Sequence, residues 1–182
     1  MPDIRPLNLE GVYEITLHPR GDRRGYFVET YRAEFFEAHG LRTGWVQENQ
    51  SLSTRRGVIR GLHFQRPPHA QAKLVRAVIG TMYDVFVDLR KESPTYGQWG
   101  GVELAAEKFN MVYIPAGFAH GFCTLTDEVM AAYKVDGYYD AGSEDGLMWD
   151  DPTIGIEWPC ADPLLSGRDQ KWGMFEGFES PF

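Results

Sequence analysis

From Trp45 onward the alternation of apolar and polar residues predicts a run of short strands. Lys73 to Ile79 is rich in β-branched residues and ends at Gly80. Thr81 to Leu89 places Tyr83, Val85, Val87 and Leu89 on one face and Met82, Asp84, Phe86 and Asp88 on the other. Gly80-Thr81 predicts a turn that pairs these two strands. Val102 to Ala105 and Met111 to Ile114 flank a polar turn around Lys108 to Asn110, and Phe122 to Leu125 with Val129 to Val135 predicts a further pair. Ahead of them come a strand over Gly11 to Leu17, the polar turn HPRGDRRG and the extended run YFVETY. A short helix is expected over Ala33 to Ala38, with Phe35 and Phe36 as its apolar side and Gly40 as its stop. Many short strands divided by Gly, Pro, Asn and Asp describe an all-β sandwich or barrel. The 20 glycines, 11 prolines and 14% aromatic share argue the same way against a helical bundle. No repeat, low-complexity segment or linker divides the 182 residues, so one domain over 1–182 is expected. A chain of this length can bury roughly 70% of its unfolded surface.

Charge and cysteine content narrow the class. A net charge of −8 leaves no excess of Lys and Arg to neutralise a nucleic-acid backbone, although a local cluster can still hold a small anion. Cys123 and Cys160 form no CxxC motif and read as two free thiols of a reducing compartment. The start, MPDIRPLNLEGVYEI, lacks the basic and apolar regions of a signal peptide, and no apolar stretch approaches a membrane span. A soluble cytoplasmic protein is expected.

Reactive side chains concentrate in three places. GVIRGLHFQ interleaves Arg60 and His63 with Val58, Ile59, Leu62 and Phe64, and Lys73 follows in QAKLV. IPAGFAHGF puts His120 in a turn bounded by Pro115 and two glycines, and AAYKVDGYYD holds Tyr133, Tyr138 and Tyr139. A catalytic metal is disfavoured. The position two after His63 is Gln65, Lys73 would oppose a divalent ion, and His69 lies in a Pro-rich loop that reads as exposed. No GxSxG elbow and no Gly-rich phosphate loop is present. What remains is acid–base chemistry: a histidine base, a tyrosine that holds its proton at neutral pH, and a lysine for an oxyanion. That trio suits proton abstraction next to a carbonyl. Strict alternation sets Tyr133 on a face with Val129, Ala131 and Val135, where small Ala131 leaves room for a ligand. Taken singly, each residue has a plain structural alternative: a hydrogen-bonded core histidine, a core tyrosine with its hydroxyl at the rim, a strand-edge lysine.

Together these segments resemble the dTDP-4-dehydrorhamnose 3,5-epimerase family of nucleotide-sugar biosynthesis, from about Gly21 to about Asp169. GDRRGYFVETY, VQENQSLSTRRGVIRGLHFQ, QAKLVRAVIGTMYDVFVDLRKESPTYGQW, IPAGFAHGF, YKVDGYY, SEDGLMWDDPTIGIEWP and LSGRD follow in the family's order and spacing. The resemblance implies a cupin-type jelly roll, a homodimer, and no metal or organic cofactor. The implied substrate is dTDP-4-dehydro-6-deoxyglucose, whose ketone acidifies the C–H bonds at carbons 3 and 5. His63 is implied as the base, Asp169 as the acceptor of its other ring N–H, Lys73 as the stabiliser of the enolate, and Tyr133 as the acid on the opposite face. Arg24, Arg60 and Arg168 match the arginines that hold the diphosphate, and planar guanidinium groups suit phosphate oxygens. Glu29, Gln47, Asn49, His120 and Glu144 match other substrate-binding positions. Tyr139 matches the residue stacked on thymine, and Phe27 adds an apolar contact.

Arg60 and His63, three residues apart, would face opposite ways on an ideal strand. Either Gly57 and Gly61 permit a bulge, or the two side chains serve different parts of the site. The aromatic tail from about residue 170, QKWGMFEGFESPF, corresponds to a variable C-terminus, with packing, a dimer contact and disorder all open. Three other readings remain: a mono-epimerase of an antibiotic deoxysugar pathway, a non-catalytic sugar-nucleotide binding module, and a metal-dependent cupin.

Overall fold

A computed structural model describes residues 2–182. Thirteen strands and one short helix follow in chain order: β1 (Asp3–Pro6), β2 (Tyr13–Thr16), β3 (Arg20–Asp22), β4 (Gly25–Phe27), α1 (Ala33–Ala38), β5 (Gln47–Ser53), β6 (Ile59–Gln65), β7 (Lys73–Ile79), β8 (Thr81–Asp88), β9 (Trp99–Ala105), β10 (Asn110–Ile114), β11 (Phe118–Thr124), β12 (Val129–Val135) and β13 (Glu144–Gly146). They form a six-stranded sheet, β1-β2-β10-β7-β12-β5, and a five-stranded sheet, β13-β6-β11-β8-β9, with β3-β4 as a separate hairpin. This is the cupin-type jelly roll. Among the described residues no helix is long and apolar enough to cross a membrane.

The helix and strands β7 and β8 lie where the pattern places them, but the expected pairings do not. β7 and β8, β9 and β10, and β11 and β12 each divide between the two sheets. Each expected hairpin is therefore a corner at which the chain crosses the sandwich. Gly80 makes the first corner at φ +73°, where a Cβ would stand 2.6 Å from Thr126 Oγ1. IPAGFAHGF also departs from expectation. The turn closes at Gly117, and His120 sits in the middle of β11, a strand buried along its whole length.

The alternation along Thr81 to Leu89 holds and defines two faces. Met82 and Phe86 point inward, where they meet Val75, Val112, Ile114 and Ala131 of the other sheet. Val85, Val87 and Leu89 point outward with Leu62, Phe64 and Ala119. That outer face is sealed by the C-terminal segment through Ile154, Ile156, Trp158, Phe175, Phe178 and Phe182. The tail is thus an ordered cover packed over apolar surface of its own chain. The six-stranded sheet has its own cover, where Phe36 of α1 and Leu41 pack on Ile15, Leu74, Met111 and Tyr113.

Candidate active site

A cavity of about 730 Å³ opens between the two sheets. Eleven of the fourteen site residues expected from sequence line it: Gln47, Asn49, Arg60, His63, Lys73, His120, Tyr133, Tyr139, Glu144, Arg168 and Asp169. His63 and Glu144 come from β6 and β13 of the five-stranded sheet, while Lys73 and Tyr133 come from β7 and β12 of the other. Groups on opposite sheets therefore address the same space from opposite walls.

Gly61 explains how Arg60 and His63 share the cavity. It takes φ +126°, and a Cβ there would lie 2.6 Å from Gly121 Cα on the neighbouring strand. The β6–β11 register shifts between His120 and Phe122, so β6 breaks its two-residue alternation at this point. Arg60 then reaches across to β5, donating to Ser53 Oγ at 3.1 Å and to the Leu52 carbonyl at 3.2 Å.

His63 Nε2 lies 2.6 Å from Asp169 Oδ1, across 106 residues of sequence. A carboxylate can only accept, so Nε2 carries the hydrogen and Nδ1 keeps a lone pair. Burial pushes the Asp169 carboxyl up. The hydrogen bond and charge of His63, with smaller help from Ser166 and Trp172, outweigh that and hold it below the ordinary value. Lys73 is 9% exposed and donates to the His63 carbonyl at 3.3 Å. Burial lowers its pKa to about 8, against the opposing pull of Asp84 and Glu144. Tyr133 is half-buried, opposite Asn49 in the β12–β5 register. Its burial raises the phenol pKa, so it holds its proton at neutral pH.

Two residues of the site escaped the sequence reading. Asp84 is fully buried and accepts from His120 Nε2 at 2.9 Å, while its other oxygen has no hydrogen-bond partner. Burial depresses the His120 pKa, only partly countered by Asp84. The signal was present in TMYDVFVDL: a carboxylate between Met82 and Phe86 on a buried face requires a polar partner. Gln65 is also buried. Its amide nitrogen donates to the carbonyls of His69 (2.8 Å) and Tyr138 (3.2 Å), and its oxygen accepts from Asp140 N (2.7 Å). It clamps the loop that carries Tyr139. His69 itself is half-buried, not exposed, because its backbone belongs to this clamp.

At the mouth, Glu144 Oε2 accepts from Tyr139 Oη (2.9 Å) and Arg168 Nη1 (2.7 Å). Gln47 Oε1 accepts from Tyr139 N at 3.0 Å. Arg24, Phe27 and Glu29 stand elsewhere. Arg24 pairs with Asp22 at 2.6 Å, Glu29 pairs with Arg32 at 2.8 Å, and Phe27 is 72% exposed on the β3–β4 hairpin.

A jelly roll whose interior places a carboxylate-supported histidine opposite a tyrosine, with a buried lysine in the same cavity, defines an acid–base enzyme of the cupin class. The chain belongs to the dTDP-4-dehydrorhamnose 3,5-epimerase family, whose family model matches residues 6–177, and it is an isomerase. It is 51% identical over 150 residues to the dTDP-4-dehydrorhamnose 3,5-epimerase of Shigella flexneri, covering 82% of each chain. It is 46% identical over 168 residues to a dTDP-4-dehydrorhamnose 3-epimerase of Streptomyces niveus, covering 92% of this chain and 81% of that one. The crystal structure of the Bacillus anthracis 3,5-epimerase with TDP and PPi bound superposes with a TM-score of 0.94 at 41% identity, covering 96% of this chain and 100% of that one.

Proposed function

We propose that the enzyme inverts carbons 3 and 5 of dTDP-4-dehydro-6-deoxyglucose to give dTDP-4-dehydro-rhamnose. The observation that carries this is the entry of His63 and Tyr133 into one cavity from opposite sheets. Inversion needs a base on one face of the sugar and an acid on the other. His63 Nδ1 takes the proton next to the ketone, and the C–H electron pair moves onto the carbonyl oxygen. The Lys73 ammonium stabilises that enolate oxygen. Tyr133 then gives its proton to the opposite face, the C=O re-forms, and the centre is inverted. Asp169 holds the His63 tautomer and supports the imidazolium that appears.

Arg60 and Arg168 bind the diphosphate, with Gln47, Asn49, His120 and Glu144 as further substrate contacts, and Tyr139 stacks on thymine. We infer that Arg24, Phe27 and Glu29 serve the cavity of a second copy. The support is the position of Arg24 and Phe27 on an exposed hairpin, with Glu29 just after it, outside this chain's own cavity. That makes the working unit a homodimer of one-domain chains spanning 1–182. The reading places it in the cytoplasm, where thiols such as Cys123 and Cys160 stay reduced.

Incubation with dTDP-4-dehydro-6-deoxyglucose in deuterium oxide, followed by NMR, tests the reaction. Label and inversion at both carbons are expected. Label at carbon 3 alone would make the enzyme a mono-epimerase, and no label with dTDP still bound would remove the catalytic assignment. Tyr133→Phe should keep exchange into the substrate but lose inversion.

A further inference from the structure

Trp172, in the aromatic C-terminal tail, stands against the base. Its ring meets the His63 imidazole edge to face, with centroids 6.0 Å apart and planes at 71°. Its indole Nε1 is buried and has no hydrogen-bond partner. The Arg168 guanidinium lies 5.9 Å from the ring centroid on the cavity side of the tail. Gly146, opposite His63 in the β13–β6 register, makes the space, because a Cβ there would lie 2.6 Å from Trp172 Cδ2. The backbone on either side is pinned. Met148 N donates to the Gly173 carbonyl at 2.9 Å, and Phe175 N donates to Asp151 Oδ2 at 2.7 Å. The ring is clamped behind the imidazole, not lying loose on the surface.

We propose that Trp172 is a positioning residue for the His63–Asp169 pair: its ring fixes the tilt of the imidazole, and its indole N–H supports the Asp169 carboxylate as the acceptor of Nε2–H. The charged groups in that corner are His63 on β6, Glu144 on β13, and Arg168 beside Asp169. None of these except His63 hydrogen-bonds Asp169; the indole N–H is buried without a partner of its own, and Trp172 is among the groups that hold the Asp169 carboxyl below its ordinary value. An ionised acceptor keeps the proton on Nε2 and leaves Nδ1 free. The inference rests on His63 being the base.

Two variants separate the roles. Trp172→Phe keeps a ring at the imidazole edge and deletes the N–H, whereas Trp172→Leu deletes both. Turnover is expected to fall about tenfold in the first, the scale of one hydrogen bond to a charged group, and further in the second. Affinity for dTDP should not change in either. Nitrogen-15 spectra of His63, assigned against His63→Gln, should show the single Nε2–H tautomer giving way to a mixture. Wild-type turnover in both variants overturns the proposal. So does lost turnover with an unchanged nitrogen-15 pattern, which a merely structural role would produce. Trp172→Phe decides alone if Trp172→Leu fails to fold. Full turnover in His63→Gln would remove the base assignment, while the spectra of the Trp172 variants would still report whether the ring holds the imidazole.

Discussion

The two faces of the five-stranded sheet are made by the same strands and have opposite characters. The outer face carries Leu62, Phe64, Val85, Val87 and Ala119, and the aromatic tail removes it from water. The inner face carries His63, Gln65, Asp84 and His120 among phenylalanines, and each of these side chains is hydrogen-bonded inside the sandwich, Asp84 through one oxygen only. The outer face needs only apolar area, which any well-packed side chain supplies. The inner face needs particular atoms at particular places, because a buried polar group without a partner costs as much as a lost core side chain. The faces meet at Trp172, where the tail that seals one reaches the base of the other.

The comparison breaks most sharply at His63. His63→Ala should lower turnover by about a thousandfold or more, the scale of a lost general base, with dTDP affinity largely kept. Turnover near wild type would mean that the inner face binds without catalysing. Lys73 offers a smaller, graded test. Burial brings its pKa down to about 8 from an ordinary 10.5. In the free enzyme kcat/KM should therefore fall as pH rises through about 8, where the ammonium is lost. Lys73→Met should lack that alkaline limb. Stability should move the other way. Between about 8 and 10.5 the unfolded chain binds a proton that folded Lys73 has released, so stability rises with pH across that window. A thermal melt series over that range in both proteins checks the sign. The smallest effect on chemistry belongs to the outer face. Phe178 packs at 5.8 Å against Phe64. Phe178→Ala should cost about 2 kcal/mol of stability, which a denaturant midpoint would read, and leave kcat as it was. A fall in kcat there would show that the tail transmits its packing to the dyad.

Legibility from the sequence followed how local each determinant is. The α1 helix, the span of β7 and the two faces of β8 were readable, because side-chain direction depends only on the residue and its immediate neighbours. His63, Lys73 and Tyr133 were found as residue types suited to one reaction, and the cavity gathers all three. The strand pairings were not readable. A Gly-bounded turn looks the same whether the chain folds back on its own sheet or crosses to the facing one, and here all three expected hairpins cross. Asp84 was visible as an inward carboxylate but not as the partner of His120, 36 residues away.

The sequence by itself determined which residues form strands, which side of each strand is apolar, and which side chains can carry acid–base chemistry. Only the tertiary structure decided that β6 bends at Gly61 against Gly121, so that Arg60 and His63 share one cavity. It set His63 Nε2 2.6 Å from Asp169 Oδ1, the pairing that resemblance had implied, and left Arg24 and Phe27 on a hairpin, with Glu29 just after it, outside the cavity. The reason is physical. Periodicity is a property of neighbouring residues, whereas meeting across a sandwich depends on which distant strands bury each other's surface, and that is settled by the whole chain at once.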